Sequence, residues 1–414
     1  MAGHRTQAAR ERITAWESGI RAFVALTDPD AMQSDTAAGV LAGVSTGVKD
    51  VLDVAGMPTR NGSSACDGAP PARKDAAVVA ALRAAGAMIL GKTVTTEFAF
   101  IDPTDCRNPY DLARTPGGSS SGSGAAVGAG VLDLAVGTQT AGSLCRPAAY
   151  CGAVGLKPGI GLLSTAGMTP LAPSFDAPGF IARDVATAAV ALAACTGAPA
   201  LRTLPRGLRL GRAPIDPYAP MSATALGAID EATEALAVLE MSVSQSRAEV
   251  AFASIVADHR VVMLAEAAAL HGALLDTHAD HLRPLFAAAL AEGRSLPTTE
   301  VATARGRLDC ARMEFWDAMS GFDLLLAPPV PDGAPMRDQG TGYQMLLTPW
   351  TVFGGPLVAL PWGLDELGRP RSVMLAAAPG QEALVLAAAA ALEPLAPPLP
   401  RPALRADGLV RSET

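Results

Sequence analysis

The stretch Thr115-Pro-Gly-Gly-Ser-Ser-Ser-Gly-Ser-Gly124, followed after one apolar segment by Gly137-Thr-Gln-Thr-Ala-Gly-Ser-Leu-Cys-Arg-Pro147, decides how this chain is read. A run of Gly and Ser can serve as a flexible linker, but a linker does not lead into Ala125-Ala-Val-Gly-Ala-Gly130 and Val131-Leu-Asp-Leu-Ala-Val136. Those segments read as a short helix and a buried strand, so the Gly/Ser run is predicted to be a structured loop inside a core. Two loops of small residues then flank one strand.

Upstream, Gly43-Val-Ser-Thr-Gly-Val-Lys-Asp-Val-Leu-Asp53 alternates apolar and polar residues as a half-buried strand does, with Lys49 in its middle. Asp75 is placed to cap a helix over 76–85, Gly86 supplies a left-handed exit, and a strand from Ala87 ends near Thr93. That helix–strand unit indicates an α/β fold. Downstream, a helix is expected from about Ala182 through Val185 to Thr196, Ala-rich helices over 223–240 and 252–275, strands at 323–329, 355–361 and near Val373, and a closing helix over 381–392.

With 414 residues, half of them apolar, the chain can bury a sizeable core. Its longest apolar runs stay near ten residues, short of the roughly 20 a spanning helix requires. The N-terminus is charged and amphipathic without the apolar core of a signal peptide, so a cytoplasmic location and no membrane partner are expected. A net charge of -8 without a Lys/Arg cluster argues against nucleic acid. The six cysteines contain no Cys-x-x-Cys pair, so neither a metal site nor a disulfide framework is expected.

A glycine-rich loop first suggests phosphate binding. No Lys or Arg lies between Arg114 and Arg146 to meet a phosphate, and no hydrophobic strand leads into Gly122, Gly124 and Gly128 as a dinucleotide fingerprint requires. Nucleophilic catalysis fits better. Ser143 sits in a Gly-Ser turn after an apolar strand, where the backbone N–H groups of Thr140, Ala141, Gly142 and Ser143 can point at a developing oxyanion. Its base is either a histidine from elsewhere in the chain, His259 or His271, or Lys49 with a pKa lowered by burial. Alternatively, Lys49 pairs with Asp50 or Asp53 at a strand end and has no catalytic part.

These residues together resemble the amidase signature family. Val48-Lys-Asp50, the 117–123 loop, Gly137-Thr-Gln-Thr-Ala-Gly-Ser143 and Cys151-Gly-Ala-Val-Gly-Leu-Lys-Pro158 stand in the family's order, strongly over about 38–190 and more weakly over 320–393. The resemblance implies a single large α/β domain over 38–395, with a central mixed β-sheet covered by helices on both faces and a variable, mainly helical region at about 200–320. An N-terminal helical segment (1–37) and a Pro-rich tail (396–414) flank it. It further implies a Ser-cisSer-Lys triad with Ser143 as nucleophile, Ser119 as bridging serine on a cis peptide and Lys49 as base. No cofactor is implied.

Gln139, and an arginine three places after the nucleophile, make the turn most similar to that of malonamidase-like members. The resemblance therefore puts Arg146 and Thr138 at a substrate carboxylate, and the expected substrate is a small polar or carboxylate-bearing amide. A purely structural brace is the alternative for Arg146. Hydrolysis of a carbamate, urea derivative or aryl amide by the same triad, or service within an amidotransferase complex, are the alternative functions. A homodimer is compatible with any of them.

Overall fold

The computed structural model describes residues 2–28, 38–213, 220–246, 250–404 and 410–412; parts of the expected N-terminal segment and of the Pro-rich tail lie outside them. Eleven strands form one mixed sheet: β1 (Phe23–Leu26), β2 (Ser45–Lys49), β3 (Met88–Thr93), β4 (Leu134–Gln139), β5 (Val154–Lys157), β6 (Ala177–Ala182), β7 (Arg209–Arg212), β8 (Ser242–Gln245), β9 (Leu324–Ala327), β10 (Leu357–Leu364) and β11 (Pro370–Ala376). Their spatial order is β1-β3-β2-β4-β6-β5-β10-β11-β9-β7-β8. β2 pairs in parallel with both β3 and β4, and β7 with both β8 and β9, while the centre from β4 through β6, β5, β10 and β11 to β9 is antiparallel.

The central strands β4, β6, β9, β10 and β11 are buried on both sides along most of their length because helices cover both faces. Along β10, Leu357 and Ala359 enter one core and Val358 and Leu360 the other; along β9, Leu325 and Leu324 divide in the same way. The first core is closed by α1 (Ala2–Ile20), α3 (Ser121–Gly128), α7 (Phe252–His271), α9 (Pro284–Ser295), α10 (Thr298–Ala318) and α11 (Thr348–Phe353). The second is closed by α2 (Ala77–Ala84), α5 (Val185–Thr196), α6 (Ala223–Val238) and α12 (Glu382–Leu392). Short α4 (Cys145–Tyr150) and α8 (Leu274–Thr277) complete the set. No helix among the described residues is long and apolar enough to cross a membrane.

Local chemistry accounts for several boundaries. Asp184 caps α5 by accepting from Thr187 N–H, and Gly197 ends it at φ 73°. Asp75 does not cap α2, contrary to the sequence expectation. Ala76 occupies the cap position, and the Asp75 carboxylate instead accepts from Ala55 N–H at 2.8 Å and pairs with Arg83 at 2.9 Å. Gly86 does supply the left-handed exit, at φ 93°. In the tail, 402–404 pairs with 410–412.

Candidate active site

The parallel arrangement of β2 beside β4 brings two carboxyl strand ends together, the usual place for a ligand in such sheets. Lys49 ends β2 and the turn 140–143 follows β4. Helix α3 approaches the same point from the first core. All eight of its residues are buried, and a Cβ at Gly122 would lie 2.1 Å from Ala22 O and 2.4 Å from Val94 N. Only glycine permits that approach. The helix starts at Ser121, four residues before the expected Ala125, so half of the expected Gly/Ser loop is helix.

Before that helix the Gly118–Ser119 peptide is cis. Ser119 O accepts from Thr96 N–H and Ser121 N–H, and Ser120 N–H donates to Ser143 O at 3.1 Å, which ties the loop to the turn. Lys49 Nζ lies 2.7 Å from Ser119 Oγ and 2.7 Å from Thr138 Oγ1. Lys49 and Ser119 are fully enclosed, whereas Ser143 keeps 7% exposure. Burial pushes the Lys49 ammonium down to about 7; Asp176 opposes the shift and Arg146 adds to it. The neighbouring acid Asp50 instead pairs with Lys92 at 2.9 Å, so the alternative of a Lys49–Asp50 pair is not the one adopted.

The turn after β4 is held from behind by side chains. Gln139 Oε1 accepts from Leu144 N–H and Cys145 N–H at 3.2 and 3.0 Å, and its Nε2 donates to Thr351 Oγ1 at 3.1 Å. Thr351 Oγ1 donates to Ala141 O at 2.6 Å. Thr140 Oγ1 donates to Asp176, whose other oxygen accepts from Leu171 and Ala172 N–H. Burial lifts the Asp176 carboxyl to about 6. His259 Nε2 bonds Thr140 O at 2.9 Å. The N–H groups of Ala141, Gly142 and Ser143 find no acceptor among the described residues, which leaves them available to a ligand.

The two histidines that compete with Lys49 as candidate bases are both engaged elsewhere. His259 is buried against Phe175 and bonded to the Thr140 carbonyl, and His271 Nε2 is bonded to Pro170 O. Neither meets Ser143. Arg146 is 1% exposed; one terminal nitrogen donates to Gly118 O, the carbonyl of the cis peptide, and the other to Gly342 O at 3.2 Å, while buried Nε finds no partner among the described residues. Thr138, the second expected carboxylate contact, accepts from Lys49. Thr351 and Asp176 carry no local sequence signal; they act through single bonds to a turn 210 and 36 residues away.

Beside Ala141 opens a cleft of about 380 Å³, walled by Phe100, Ile101, Val256, Met263, Leu285 and Met345. The charged residues on it, Arg260 and Glu292, pair with each other. Among the described residues no group of three or more His, Cys, Asp or Glu is disposed to hold a metal.

The model of the Amidase family matches residues 4–386. A glutamyl-tRNA(Gln) amidotransferase component of Anaeromyxobacter sp. (strain K) is 31% identical, with 96% of this chain and 93% of that protein covered. AtzE of Pseudomonas sp. (strain ADP), a component of 1-carboxybiuret hydrolase, is 33% identical over 85% of this chain and 84% of its own. Among solved structures, a chain from a complex described as vestigial, and as revealing the origins of an s-triazine catabolic enzyme, superposes with a TM-score of 0.87. It is 29% identical, and the superposition covers 100% of this chain and 96% of that one.

Proposed function

Because the chain belongs to the amidase family, whose members hydrolyse carbon–nitrogen bonds, we propose that it cleaves a small amide to a carboxylic acid and ammonia or an amine through an acyl-enzyme on Ser143. The observation that carries this reading is the 2.7 Å contact between a fully buried lysine and Ser119. With a pKa near 7, about half of Lys49 is neutral at neutral pH and has a lone pair for a proton. Ser119 passes the Ser143 hydroxyl proton to Lys49 as Ser143 Oγ attacks the amide carbon. The oxyanion falls to the N–H groups of the 140–143 turn. The proton then returns through Ser119 to the departing nitrogen, and water repeats the sequence to release the acid.

Two substrate readings differ in what the pocket recognises. A carboxylate-bearing amide would need Arg146 and Thr138, yet the terminal nitrogens of Arg146 already donate to two carbonyls and Thr138 accepts from Lys49. The hydrogen bonds favour a bracing role for Arg146, with the loop that carries Ser119 as the braced part. The apolar walls beside Ala141 favour an amide that carries an aliphatic or aromatic group.

A panel of primary amides, dicarboxylic half-amides, anilides and carbamates, run against wild type and Ser143→Ala, tests both levels. The expected result is Ser143-dependent turnover, with hexanamide or phenylacetamide preferred over malonamate. A panel that never separates the two proteins would sink the enzyme reading; a preference for malonamate that Arg146→Lys abolishes would restore the carboxylate clamp. The amidotransferase alternative, suggested by the Anaeromyxobacter relative, predicts no turnover until a partner chain is supplied.

A further inference from the structure

We propose that His259 and Thr351 are positioning residues for the oxyanion site, each donating a hydrogen bond to the carbonyl of a peptide whose N–H faces the reacting carbonyl. The inference rests on the acyl-transfer reading above. A peptide group is planar, with its C=O and N–H pointing in opposite directions. Fixing Thr140 O therefore aims the N–H of Ala141, and fixing Ala141 O aims that of Gly142. His259 Nε2 holds the first at 2.9 Å and Thr351 Oγ1 the second at 2.6 Å. Two consecutive peptides are thus clamped at their carbonyls.

Donor directions are settled by the partners. A carbonyl only accepts, so the hydrogen of His259 sits on Nε2. Thr351 Oγ1 accepts from Gln139 Nε2, which leaves its own hydrogen for Ala141 O. Gln139 Oε1 in turn takes the N–H groups of Leu144 and Cys145. The result is a closed chain from the residues after the nucleophile, through Gln139 and Thr351, back to the turn before it. Each link polarises the next, so the peptide N–H at the end becomes a better donor to negative charge.

His259 cannot swing away. Its ring lies 4.2 Å from that of Phe175, and it arrives on α7, a 20-residue helix packed into the first core. Burial also holds its pKa down, to about 4, so the ring stays neutral across the working range and contributes a fixed dipole. An N–H that is already aimed does not need to reorient when charge develops, which is the source of oxyanion-hole catalysis. The two clamps therefore bear on the transition state; His259 also lines the cleft beside Ala141, so the Thr351 variants read the clamp without altering the cleft wall.

The test measures labelling of Ser143 by an alkyl fluorophosphonate and its acylation by p-nitrophenyl acetate, in wild type, His259→Leu, His259→Gln, Thr351→Val and Thr351→Ser, with melting temperatures alongside. Loss of the donor in His259→Leu and Thr351→Val is expected to slow both reactions by roughly 10–100-fold, with KM for the ester changed less than about threefold. The variants that keep a donor, His259→Gln and Thr351→Ser, are expected to recover most of the rate. Wild-type labelling in a folded His259→Leu or Thr351→Val, or a His259→Gln as slow as His259→Leu, overturns the proposal. If His259→Leu does not fold, the comparison of Thr351→Val with Thr351→Ser decides. Absence of labelling in wild type itself would instead overturn the acyl-enzyme reading, so the two failures are distinct.

Discussion

At the scale of single residues, the site sets one lysine between opposing influences, and its pH behaviour follows from their signs. Burial lowers Lys49 to about 7, and the Asp176 charge pulls it upward. In the proposed mechanism the neutral form is the base, so kcat/KM is expected to fall about tenfold per pH unit below 7 and to level off above it. Asp176→Asn removes the upward pull and should move that acidic limb to lower pH, because Asn can still pair with Thr140 and accept from the 171–172 backbone. A limb that stays in place or moves upward would contradict the assigned coupling. Lys49, Ser119 and Ser143 were singled out together through the resemblance to the amidase signature family, and the structure brings Lys49 Nζ to 2.7 Å from Ser119 Oγ. His259, Thr351 and Asp176 were not read as supports of the turn. Each touches it through a hydrogen bond that many residue types can make, from segments far away in the chain.

At the scale of elements, glycine has opposite values in two helices. In α3 a Cβ at Gly122 would collide with backbone atoms at 2.1 and 2.4 Å, which no rotamer can relieve. Gly122→Ala is therefore expected to cost about 3 kcal/mol or more in urea-unfolding free energy and to lower activity by displacing Ser119. In α6, Gly227 has nothing within 4 Å, and Gly227→Ala should stabilise by about 0.5–1 kcal/mol. Equal effects at the two sites would refute the packing argument. The same contrast explains where element boundaries were legible. Helix α5 was placed at its observed C-terminus, where Gly197 ends it by conformation, and its start was read near Ala182, three residues before the Val185 that Asp184 caps. The start of α3 was not legible, since Ser and Gly have weak helix propensity and their helix forms because tight packing favours it. Asp75 looked like a cap and found a stronger use, accepting from Ala55 and pairing with Arg83.

At the scale of the whole molecule, the α/β class was legible from the helix–strand pattern, and the helices on both faces of the sheet followed from the family resemblance. The eleven-strand order was not, because it depends on long connections whose pairing no local pattern records. Enclosing so much sheet also buries titratable groups of both kinds. Folded Lys49 and Lys157 titrate near 7 and 8, below their ordinary 10.5, so between pH 7 and about 9 the unfolded chain binds more protons and stability rises with pH. Burial raises Cys145 to about 12 and Cys195 to about 11, and pushes Cys106 and Cys151 up as well. Above about 9 the unfolded chain therefore loses thiol protons that the folded one keeps, and stability falls. Urea midpoints measured from pH 6 to 10.5 should peak near 9; a monotonic curve would count against this balance. Helix α7 bears on how such an enzyme can change over generations. On one helix it carries Val256, His259 and Met263 of the cleft wall, and His259 also bonds the Thr140 carbonyl of the turn after β4. Selection for a new substrate that remodels this helix would reset the reaction rate at the same stroke, unless position 259 keeps a hydrogen to donate. Grafting the helical segment from a relative should succeed as a change of specificity only when that donor travels with it.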